Sequence, residues 1–193
     1  MKADGILRVT QAFQERLKLA LVSSAVPGTV FVGPLDVAAS SGATLVLFLY
    51  RIIPNASLRN REHRVSANGD PSVEVFQNAL PLDLHFLVTL GTAPDPNKDT
   101  LLQALGSVIQ ALQTDPELTG SGVGHETVRV SLEPLSTDEA SRIWALFPTA
   151  NYRTSVAYLA TPVWIDPLKP AIVGAPVVEE QVYSDSGALE TVS

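Results

Sequence analysis

His63, His85 and His125 are the only imidazoles of the chain, and cysteine is absent. Without cysteine there is no disulfide scaffold, no thiolate metal site and no cysteine nucleophile. The histidines show neither H-x-x-x-H nor H-E-x-x-H spacing, which excludes the helical ligand pair of a zinc protease. Asp83 and His85 stand two apart in a stretch of alternating polarity. On a strand that spacing puts both on one face, where the carboxylate could orient the imidazole as a base. Ser131, on another expected strand, would complete a small Ser–His–Asp hydrolase, yet no G-x-S-x-G turn is present. A solvent-side or interface-side pair on a half-buried strand is the simpler reading.

Other clusters are weaker as chemistry. Gly120-Ser121-Gly122-Val123-Gly124 has the glycine content of a phosphate loop but lacks the Lys-Ser/Thr that should follow, and a strand follows in place of a helix. It reads as a mobile hairpin loop. Asp166, Glu179, Glu180 and Asp185 lack EF-hand spacing. No metal or cofactor is expected. Arg59, Arg61 and Arg64 form a basic cluster with His63: a solvated loop, a site that binds phosphate, or a contact with an acidic neighbouring subunit. Trp164 is either an interface anchor or a core or edge-packing residue.

The elements that must position these residues follow from periodicity. Ile6, Val9, Phe13, Leu17 and Leu21 recur at three- and four-residue steps and predict a helix over 5–23. A short strand is expected over 29–32 and a buried strand over 44–53. Residues 58–76 are polar and turn-rich around Asn68-Gly69, which suits a loop or a hairpin. Leu82, Leu84, Phe86, Val88 and Leu90 give the cleanest period-two strand. Leu101, Leu105, Val108, Ile109 and Leu112 predict a second helix over 99–113. A strand over 127–132 precedes a Ser136–Glu139 capping box and a third helix with Ile143, Trp144 and Phe147 inward. Residues 154–165 form a strand broken by Pro162, as at an edge or a bulge. The fold class is therefore α+β, with one mixed or antiparallel sheet and about three helices.

Composition narrows the role. Charged residues are 17% of 193, below the roughly 25% of a typical domain. Part of the surface is therefore expected to be covered by partner subunits. Net charge is −7, which argues against nucleic acid as a partner. Residues 1–70 are net basic, whereas 171–193 hold four acidic residues and no basic one. Ordinary solvation explains such asymmetry, and stacked contacts between copies would exploit it. The longest apolar run, 45–50, is far short of a membrane span, so direct membrane insertion is not expected. The first helix carries Glu15, Arg16 and Lys18, unlike a signal peptide.

Four stretches carry a family resemblance: the opening helix with Leu7 and Leu17-Lys18-Leu19; Leu80-Pro81-Leu82-Asp83-Leu84-His85-Phe86-Leu87-Val88-Thr89; the helix with Leu101-Leu102 and Ala104-Leu105-Gly106; and Val128-Arg129-Val130-Ser131-Leu132-Glu133-Pro134-Leu135-Ser136 with Arg142-Ile143-Trp144 and Tyr152-Arg153-Thr154-Ser155-Val156-Ala157-Tyr158. In this order over 6–166 the chain resembles the tail-terminator, or cap, proteins of extracellular contractile injection systems. His85-Phe86 stands where His-Tyr is commoner. The resemblance implies a phage tail-terminator-like domain over 1–167. It also implies a six-copy ring on the inner tube, distal to the baseplate, in contact with the last sheath layer. No reaction is implied. Assembly in the bacterial cytoplasm as part of a phage tail-like particle is implied as well. Another ring or adaptor of the same particle, in tube or baseplate, is the alternative.

The tail over 168–193 has no matching pattern. Its Val173, Val177, Val178 and Val182 lie among prolines and glutamates. It is expected to be either an extended arm that adds a strand to a neighbour or a disordered terminus.

Overall fold

Helix α1 (Gly5–Ser23) presents Val9, Phe13, Leu17 and Leu21 along one side, and all four are fully or almost fully buried. Each such burial contributes about 1.5–3 kcal/mol. The helix ends where the Val26 N–H reaches Leu21 O and the Ala25 N–H reaches Val22 O, with Ala25 at φ +53°. That is a Schellman closure with alanine in the position glycine usually takes. The structure, a computed structural model, describes residues 3–26, 28–36, 38–66, 73–94, 99–169 and 172–174.

The strands are β1 (Val30–Val32), β2 (Leu45–Pro54), β3 (His63–Ser66), β4 (Val73–Phe76), β5 (Leu80–Leu90), β6 (Glu117–Leu118), β7 (Val128–Glu133), β8 (Ser155–Ile165) and β9 (Ile172–Gly174). Helices α2 (Asp99–Thr114) and α3 (Thr137–Trp144) complete the fold. The main sheet has the order β1-β2-β5-β8-β7-β6. Only β1–β2 is parallel, so the sheet is mixed, as expected. A second sheet, β3-β4-β9, is antiparallel. The 58–76 region thus contains a hairpin, and the Asn68-Gly69 turn lies outside the described residues.

Alternation sorts the strand side chains into two layers. Leu45, Leu47, Leu84, Phe86, Val88, Val130 and Tyr158 pack beneath α1 and α2. Phe13 meets the Phe86 and Tyr158 rings edge-on, at 5.2 and 5.9 Å between centroids. On the opposite face Val46 and Leu87 meet Ile143, Trp144 and Phe147 from α3 and the turn after it. Central β5 is therefore buried on both faces, including His85 and Thr89.

Strand β8 is central, so of the two places expected for Pro162, an edge or a bulge, the structure shows the bulge, where Thr161 and Pro162 together oppose Asp83. The glycine loop lies in the connection of the β6–β7 hairpin, as expected, and part of it packs onto the body. Ser121–Val123 forms a 3-10 turn against α1, with Val123 fully buried and Ser121 O accepting from Arg8 Nη1. A single apolar side chain anchors that turn.

Candidate functional site

Register places Arg51, His85, Leu159 and Ser131 in one cross-strand row over β2, β5, β8 and β7. His85 Nδ1 lies 2.7 Å from Glu133 Oε2, so its N–H donates to the carboxylate. The Tyr50 hydroxyl donates to the same oxygen at 3.2 Å. Burial, and then the Glu133 charge, push the Tyr50 phenol well above its ordinary range. His85 Nε2 is buried without a partner among the described residues.

Asp83 does not orient His85. Its Oδ1 accepts from Asn55 Nδ2 at 2.9 Å and from the Thr161 hydroxyl at the bulge. Asn55 Nδ2 also reaches Thr161 Oγ1, and Asn55 Oδ1 accepts from the Leu58 N–H, so the cluster fastens the chain leaving β2. Ser131 shares the row with His85 but lies two strands away, roughly 10 Å, with Leu159 between. The three residues of the hydrolase reading are thus distributed over separate contacts. The partner that sequence reasoning missed is Glu133. It follows Ser131 by two in an alternating strand and so shares its face.

Beside α3 the same face opens into a cavity of about 560 Å³. The Ser136–Glu139 capping box forms as the sequence predicts and starts the helix at this place. Leu87, Leu135, Ala140, Trp144 and Val156 supply apolar walls, and Glu133 supplies a charge. The Trp144 indole N–H is buried without a partner among the described residues.

A second histidine joins the small sheet to the main one. The His63 ring stacks on Trp164 at 4.7 Å with 9° between planes. Its Nδ1 lies 2.6 Å from Asp166 Oδ1, and its Nε2 lies 3.6 Å from Glu126 Oε2. These three residues are the one His-and-carboxylate group among the described residues compact enough for a cation. The carboxylates face opposite ring nitrogens and do not converge before one of them, so the arrangement is a hydrogen-bonded junction. His63 and Asp166 are 103 positions apart, and no local motif announces the pair. Trp164 is buried here with Phe76 and Ala79 inside its own chain. Arg59, Arg61 and Arg64 stay exposed, Arg64 beside Glu62.

The two edges of the main sheet differ. At β1 the Gln14 side chain donates to Val30 O at 2.7 Å and occupies the edge. At β7 the cover is partial. Strand β6 pairs with Val128 and Arg129, and Pro116 O accepts from the Val130 N–H at 2.7 Å. Beyond it, 131–133 pairs only with β8 among the described residues. A groove of about 130 Å³ lies beside this stretch, lined by Ile109, Leu112, Arg129, Leu132 and Tyr158 among others. Leu132 is 57% exposed. The Tyr158 hydroxyl is buried without a partner among the described residues, and burial pushes its pKa up to about 12.

Of the tail, Val173 lies in β9 and pairs with Glu74 of the same chain. Val177, Val178 and Val182 lie outside the described residues. Among the described residues no helix is long and apolar enough to cross a membrane.

No curated protein is similar to the chain in sequence. Two solved structures are similar in fold. One is the PVC sheath/tube terminator of an extracellular contractile injection system in the extended state, with TM-score 0.57 and 18% identity. The match covers 96% of this chain and 65% of that one. The other is the anti-feeding prophage tube-terminating cap, with TM-score 0.54 and 18% identity, covering 88% of this chain and 59% of that one. The chain thus spans about two thirds or less of the length of either protein. The Pvc16 N-terminal domain family matches residues 8–179, and the chain belongs to that family.

Proposed function

We propose that the protein is a structural cap of a contractile injection system, a ring of six copies that ends the inner tube distal to the baseplate and contacts the last sheath layer. The observation that carries this reading is the fold shared with a sheath/tube terminator and a tube-terminating cap over most of this chain. The surface supports it. A tube end presents surfaces that recruit a further ring, so a terminator must match the tube on one side and offer nothing to copy on the other. Here one sheet edge is occupied and the other is partly open.

The protein's partners are then further copies of itself, the tube protein and the sheath protein. The exposed Arg59, Arg61 and Arg64 suit an acidic neighbour. We assign 1–167 to the terminator-like body and 168–193 to an arm; its residues 172–174 pair with β4 of the same chain, and the residues beyond them add a strand to a neighbouring subunit or to the terminal sheath layer. Assembly takes place in the bacterial cytoplasm, as part of a phage tail-like particle. The role is docking, with no bond made or broken.

Imaging particles assembled without the protein tests the reading. Tubes of uncontrolled length, or sheaths lost from the far end, are the expected result. Normal tails overturn it.

A further inference from the structure

We propose that segment 177–183 of one copy adds a strand to the open edge of β7 in the next copy around the ring. The proposal rests on the ring reading and names the surface its arm occupies. Main-chain geometry provides the first argument. The Val130 N–H turns outward to Pro116 O, so the alternation of an antiparallel strand turns the Leu132 N–H and C=O the same way. An outward edge of this kind is a template for another strand, and folded proteins cover or block such edges. Gln14 blocks β1. Nothing among the described residues covers 131–133. A strand added there continues the line of β6.

The chemistry of the groove selects the occupant. Its walls, Ile109, Leu112 and Leu132, call for apolar side chains, and the buried Tyr158 hydroxyl calls for a hydrogen-bond partner. Its one charged lining residue is Arg129, which is exposed and has no ion pair among the described residues. An occupant should therefore combine strand-forming apolar residues with negative charge. Segment 177–183 reads Val-Val-Glu-Glu-Gln-Val-Tyr, with two carboxylates and no cation. The larger cavity beside α3 is lined by Glu133, which repels an acidic segment.

The ring reading makes the neighbour's edge the target, and the double variant of Leu132→Cys with Val178→Cys separates it from the chain's own edge.

A chain without cysteine allows a clean test on all 193 residues. Rings are first verified by light scattering of the unaltered chain. Single variants Leu132→Cys and Val178→Cys are then mixed, reassembled and oxidised. Cross-linked pairs are expected, and the double variant should give a ladder of linked subunits up to the closed ring. Leu7→Cys, exposed on α1, replaces Leu132→Cys as the off-edge control and should give no pairs. Arg129→Glu should reduce cross-linking to that control level while rings persist. Rings that form without cross-links overturn the edge assignment and leave the ring reading standing. A double variant that links only within single chains overturns docking on a neighbour. Monomers of the unaltered chain overturn both. If Leu132→Cys fails to assemble, Ser131→Cys on the same stretch is used with the same expectations.

Discussion

Replacing Gly106 and Gly91 by alanine should move stability in opposite directions. Gly106 lies exposed within α2, and a Cβ built there meets nothing within 4 Å. Alanine removes backbone freedom from the unfolded chain and should stabilise by about 0.5–1 kcal/mol. Gly91 follows β5, and a Cβ there lies 1.9 Å from Ala43 O and 2.5 Å from Ala43 C. Ordinary contact begins at 3.4 Å, so the two segments must part by about 1.5 Å, and no side-chain rotation can supply it. The bonds at risk are Gly91 N–H to Thr44 O, 2.8 Å, and Ala93 N–H to Ala43 O, 2.9 Å. At about 1 kcal/mol each, with overpacking added, the loss comes to about 3–5 kcal/mol. Thermal unfolding of the full chain at one fixed protein concentration reads both effects. The midpoint should rise by about 1–4 °C for Gly106→Ala and fall by about 10 °C for Gly91→Ala. A Gly91→Ala protein as stable as the parent would refute the close approach of 91 to 43. A clear loss in Gly106→Ala would refute the exposed helical position.

Further expectations concern the helix end, the half-buried Glu133 carboxylate and the Tyr158 phenol. Ala25→Gly should stabilise by about 1 kcal/mol, because glycine removes the cost of a side chain at φ +53°, and denaturant unfolding measures it. Glu133→Ala should cost about 2–3 kcal/mol by leaving His85 Nδ1 and the Tyr50 hydroxyl without their acceptor, whereas the double variant with His85→Phe should cost less than the sum of the two singles. Tyr158 is held neutral by burial, with a folded pKa of about 12 against 10 unfolded. Stability should therefore be flat in this term below pH 10 and fall between pH 10 and 12, as the unfolded chain releases the proton first. The fall from this group amounts to about 3 kcal/mol, and Tyr158→Phe should remove that part of it in chemical denaturation, leaving the part that Tyr50 contributes.

Legibility in the sequence followed the range of the interactions. The four-residue spacing of Val9, Phe13, Leu17 and Leu21 marks α1 because helical contacts are local, and the Ser136–Glu139 box marks α3 for the same reason. Pro162 announces a bulge because it removes a ladder donor wherever it stands, but it does not say which strands flank it. Asp83 and His85 share a face as their spacing requires. Their partners Asn55, Thr161 and Glu133 come from other strands, and only register supplies them. Val123 inside a glycine run has no period to reveal that it is a core residue. The His63–Asp166 contact links the small sheet to the end of β8 across about half of the chain and has no sequence signature at all.

Strand β9 sets the mechanical path of whatever follows Gly174. Its ladder to β4 is three residue pairs long, 73–75 with 172–174, whereas β5 and β8 share nine. Tension on the later residues is therefore carried first by those three pairs. It passes next to the small hairpin, and only then through Trp164 and His63 into the main sheet. The short ladder acts as a fuse: a load large enough to do damage strips β9 and leaves the six-stranded body whole.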